Sequence, residues 1–140
     1  MSDPVTRWSE TSAPSPDDLA ALAEAAFARL PETFRQHLGA IIFEIRDFPD
    51  EALCRDMGLD SPFDLLGLYH GVSLDQKSVW DSGALPDRIF LYRRPILDYW
   101  CAGEDELGAI LTHVLVHEIG HHFGLSDADM DAIEAAAGEA

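Results

Sequence analysis

The stretch VHEIGHHFGLSDADM, residues 116–130, constrains this chain more than any other. It closes a long apolar-periodic segment, from about Glu104 to Phe123, in which Leu107, Leu111, Val114, Leu115 and Ile119 recur at helical spacing. Gly124 then permits a positive φ, which ends a helix and turns the chain sharply. Ser126 starts a further helix. The reading is therefore helix, reversal, helix, with His117, Glu118, His121, His122 and Asp127 crowded around the reversal.

His117 and His121 are four apart, a rotation of about 40° and a rise of about 6 Å, so both imidazoles project from one face and can close on one ion. Glu118 lies about 100° further round, able to reach water at the metal without being a ligand. This is the H-E-x-x-H pattern of zinc hydrolases, whose carboxylate takes a proton from water that zinc has acidified. Two histidines need a third ligand. His113 extends the row, but His113 and His121 would stand about 12 Å apart on a straight helix, too far for one zinc. Asp127, the first strong ligand past the Gly124 turn, is the expected third, leaving one position open. Ser126 to Asp129 also reads as a capping box, which gives Asp127 a structural role as well. His122 points away from His117. His37 and His70 have no visible partner and are read as structural.

Elsewhere, residues 1–16 read as a mobile tail and 17–140 as one domain. Ser15, Pro16, Asp17 and Asp18 open a helix with Leu19, Leu22, Ala23, Ala26, Phe27 and Leu30 on its apolar stripe. Residues 39–48 read as a strand, 49–58 as a short helix closed by Gly58, and 65–72 as a strand and turn. Residues 81–87 read as a loop. Residues 88–94, with flanking Arg88, Arg93 and Arg94, read as an edge strand stopped by Pro95. Helices bracket a small strand set, so the class is α+β.

A net charge of -17 disfavours nucleic acid and anionic lipid as partners. No apolar run nears the roughly 20 residues of a membrane span, and the N-terminus has no signal-peptide core. The expected location is the cytoplasm. Cys54 and Cys101 are expected to be reduced, buried and without a metal role.

HEIGHHFGLSD resembles the extended metzincin motif H-E-x-x-H-x-x-G-x-x-H/D. Together with LLGLYHG, LPDRIFLYRRPIL and HVLVHEIGHHFGLSDADMDAIE, it is similar to the bacterial minimal zincin-like metallopeptidases, over roughly residues 30–138. The resemblance implies a zincin-like fold: an active-site helix on a small mixed sheet, with an edge strand over the cleft. It implies Zn2+ on His117, His121 and Asp127 with Glu118 as general base. Larger metzincins carry a methionine turn well past the third ligand; Met130 is expected instead to pack a helix face. The reading is a zinc metallopeptidase whose extended peptide or protein substrate pairs with strand 88–94. Two rivals stand. A ribosomal-RNA-maturation ribonuclease would have glycine and histidine where Glu118 and Asp127 stand. A non-catalytic metal-binding adaptor would close its site with a fourth protein ligand.

Overall fold

The computed structural model describes residues 3–36, 38–71 and 86–139, so His37 and most of the expected 81–87 loop lie outside the described residues. The described elements are α1 (Pro4–Ser9), α2 (Pro16–Ala28), α3 (Glu32–Arg35), β1 (Ile41–Arg46), α4 (Glu51–Met57), a 3-10 turn (Pro62–Asp64), β2 (Gly67–His70), β3 (Asp87–Tyr92), α5 (Arg93–Ala102), α6 (Leu107–His122) and α7 (Asp127–Glu139). Helices around a small mixed sheet make this an α+β fold, as expected.

Local chemistry sets the helix ends. The Ser15 hydroxyl accepts from the Asp18 N–H at 3.1 Å while the Asp18 carboxylate accepts from the Ser15 N–H at 2.8 Å, a reciprocal cap for α2. Asp50 caps α4, and Gly58, with φ +66°, ends it. Within the segment read as a tail, Asp3 caps α1, none of whose residues is buried.

The sheet order is β1-β3-β2. β1 runs parallel to β3, from Ile41 opposite Asp87 to Arg46 opposite Tyr92. β2 runs antiparallel, from Gly67 opposite Leu91 to His70 opposite Arg88. This corrects the expectation for residues 88–94: the strand is central, paired on both sides, and offers no edge to a substrate. The arginines that suggested an edge have other work. Arg88 reaches Glu44 of the neighbouring strand at 3.1 Å, and the Arg93 Nε donates to the Pro14 carbonyl at 2.7 Å. Pro95 does not stop the strand either. The strand ends at Tyr92 and α5 follows directly, with Pro95 in its first turn, where a missing N–H costs little. Among the described residues, the edge of the sheet beside α6 belongs to β2 and is unpaired.

The core lies between α2, α6, α7 and the sheet. Leu19, Ala23, Ala26 and Leu30 of the α2 region meet Leu111, Leu115, Val116 and Ile119 of α6 and Ile89 and Leu91 of β3. α6 is buried on more than one face: Ile110, Thr112, Val114 and Gly120 are also enclosed. That encasement holds the histidine-bearing helix still. Cys101 is exposed rather than buried; both cysteines are free thiols.

Tyr92 is 3% exposed at the end of β3. Burial, with the Asp50 carboxylate adding, pushes its phenol up to about 12. An unfolded tyrosine ionises near pH 10. The raised folded value means that this contribution to stability is whole below about pH 10 and is lost as pH rises through about 12. Urea midpoints are expected to fall across that window, and less steeply in Tyr92→Phe. Equal slopes for the two proteins would contradict this.

Candidate metal centre

α6 ends as the sequence requires. Gly124 takes φ +71°, the Leu125 N–H donates to the Gly120 carbonyl at 2.9 Å, and the Gly124 N–H donates to the His121 carbonyl at 3.2 Å. These are the paired bonds of a Schellman stop, which turn the chain back. The Ser126 hydroxyl accepts from the Asp129 N–H at 3.1 Å and starts α7. Met130 of α7 is fully buried over Gly120. A Cβ at Gly120 would lie 2.4 Å from the Met130 sulfur, so the glycine is what lets the two helices come this close.

His117 and His121 share a face of α6, their ring centroids 5.8 Å apart and nearly perpendicular. His121 is exposed, as is Asp127 in the first turn of α7. Among the described residues, the ligand atoms that lie within 4.8 Å of one another belong to another trio: His113, His117 and Glu134. The His113 Nδ1 stands 3.0 and 3.1 Å from the two Glu134 oxygens, and the His117 Nε2 stands 3.8 Å from one of them. The two rings are 4.1 Å apart. His117, His121 and Asp127 are not gathered that tightly. The distance that keeps His113 from sharing one ion with His121 does not separate it from His117, one turn away. Glu134 carries a signal in sequence: it follows Met130 by four residues, so it shares the face of α7 that meets α6.

Among the described residues, the His117 Nε2 is the one buried side-chain polar atom without a hydrogen-bond partner. An orphaned imidazole nitrogen beside a second imidazole and a carboxylate suits a divalent cation, which supplies the missing interaction. The residues present therefore fit zinc.

Glu118 is half-buried behind His117. Burial raises its carboxyl above the ordinary value, while the Tyr69 backbone N–H and His121 pull the other way. That N–H is available for a reason of register. The Tyr92 N–H donates to the Leu66 carbonyl at 2.9 Å, so in an antiparallel ladder Leu68 and His70 bond to β3 while Gly67 and Tyr69 turn their backbone groups to the free edge. A cavity of about 450 Å³ opens there, lined by Leu65, Leu66, Gly67, His113, His117, Glu118 and Glu134 among others. His122 faces the strand and stacks on Tyr69 at 4.1 Å, and the Tyr69 hydroxyl donates to the buried Asp87.

No curated protein matches the sequence. One similar solved structure is a conserved hypothetical protein from Thermo thermophilus, 23% identical, with a TM-score of 0.52; the match covers 79% of this chain and 94% of that one. That likeness supports the fold. The sequence profile of the zincin-like metallopeptidases matches residues 38–137, across both β2 and the H-E-x-x-H helix. The chain belongs to the zincin-like metallopeptidase family.

Proposed function

We propose that the protein is a zinc-dependent peptidase that cleaves extended peptide segments lying along the free edge of β2. The observation that carries the reading is the His117 Nε2, buried without a hydrogen-bond partner, beside the half-buried Glu118 carboxylate and beneath a strand edge that is unpaired among the described residues. His117 and His121 hold the ion, with Asp127 as the oxygen donor from the returning helix. A bound zinc ion supplies a Lewis acid for the attacking water and the scissile carbonyl.

The rest falls to the chain. Glu118 accepts the proton of the attacking water on its carboxylate and passes it to the departing amine. Its partial burial strengthens it as a base, and the Tyr69 N–H fixes its direction. The substrate backbone pairs by β-addition with the outward N–H and C=O of Gly67, whose missing side chain keeps β2 close to Val114 of α6. Strand 88–94 is paired on both sides, so the proposed substrate edge is residues 67–70. Among the described residues no helix is long and apolar enough to cross a membrane.

The test is a peptide-library digest by zinc-loaded protein, with and without chelator. Cleavage that stops on chelation and returns with zinc supports the proposal. Absence of chelator-sensitive cleavage across the library contradicts it.

A further inference from the structure

We propose a second divalent-cation position on α6, one helical turn N-terminal to the H-E-x-x-H position, formed by the His113 Nδ1, the His117 Nε2 and the Glu134 carboxylate. It rests on the metal-binding part of the reading above and not on peptide cleavage.

The spacing is the first support. Ligand atoms bound tetrahedrally at about 2.0–2.1 Å stand about 3.4 Å from one another. The Glu134 Oε2 already stands 3.1 Å from the His113 Nδ1 and 3.8 Å from the His117 Nε2, on either side of that value. All three ligand atoms lie within 4.8 Å of one another. The second support is the His117 Nε2, buried without a hydrogen-bond partner. The third is rigidity: His113 and His117 ride on an encased helix, and Glu134 is carried by a helix fixed through Met130 on Gly120. The fourth is access and charge. The cavity that His113, His117 and Glu134 line also holds Asp64, Asp105 and Glu118, and among the described residues no lysine or arginine lines it, so a cation is drawn in and open coordination positions remain.

One imidazole nitrogen cannot serve two ions. Occupation of either position therefore excludes the other, and the protein binds one equivalent of metal that can stand in two places.

The test titrates zinc, and cobalt as a spectroscopic probe, into metal-free wild type, His121→Ala, His121→Ala/Glu134→Gln and His121→Ala/His113→Ala. Far-UV circular dichroism reports the fold of each, and His121→Gln serves as a second single variant. His121 is exposed, so its loss removes the motif position without disturbing the core. The expected result is one equivalent bound by the single variants, and affinity lowered at least tenfold by the added Glu134 or His113 substitution. Single variants that bind no more tightly than the doubles overturn the second position. Peptide cleavage by wild type is scored separately. Cleavage without metal binding by His121→Ala sinks this inference alone; binding by His121→Ala without wild-type cleavage sinks the peptidase reading alone.

Discussion

Glu118→Gln is expected to lower peptide turnover by about 10²–10⁴-fold while leaving the zinc content of the protein unchanged. The substitution is close to isosteric. The amide oxygen can still accept from the Tyr69 N–H, so the side chain keeps its place under β2. What it loses is the ability to take a proton from water. Because Glu118 is outside the proposed ligand set, the metal should remain. The comparison is single-turnover cleavage of one peptide by zinc-loaded wild type and variant, with metal content measured on the same samples. Turnover at the wild-type rate would remove Glu118 from the chemistry. Loss of zinc would instead make Glu118 a ligand.

Met130→Ala is expected to destabilise the fold by about 2–5 kcal/mol, with Met130→Leu costing less than about 1.5 kcal/mol. Met130 is fully buried, and its sulfur occupies the space that Gly120 leaves on α6. Truncation opens a void between the two helices that carry the histidines and Glu134. Zinc affinity is therefore expected to fall with stability in the alanine variant and to recover in the leucine one. Urea midpoints for the three proteins measure the first effect. An unchanged midpoint in Met130→Ala would mean that α7 is held some other way.

Much of the centre was legible because its cause is local. The Ser15 cap, the Gly58 stop and the Gly124 reversal each depend on a residue's own backbone and near neighbours, and each stands where the sequence put it. The same is true of His117 and His121 sharing a face. What failed depends on contacts distant in sequence. Arg88 looks like a guard on an exposed edge until Glu44 is seen across the sheet. Nothing within residues 88–94 says that β1 will pair on one side and β2 on the other. α5 is hidden in the sequence because Pro95 reads as a breaker, although a proline in a first turn does not oppose a helix. Glu134 is hard to place from sequence because its approach to His113 is set by how closely α7 lies on α6, and that follows from a glycine facing a methionine.

The central claim is that α6 presents a nitrogen to a divalent cation, and anomalous diffraction at the zinc edge from crystals of zinc-loaded protein tests it most directly. The account predicts a peak about 2.0–2.1 Å from the His117 Nε2, with the Glu118 carboxylate outside bonding distance. Zinc-loaded crystals with no anomalous peak at His117 would contradict it.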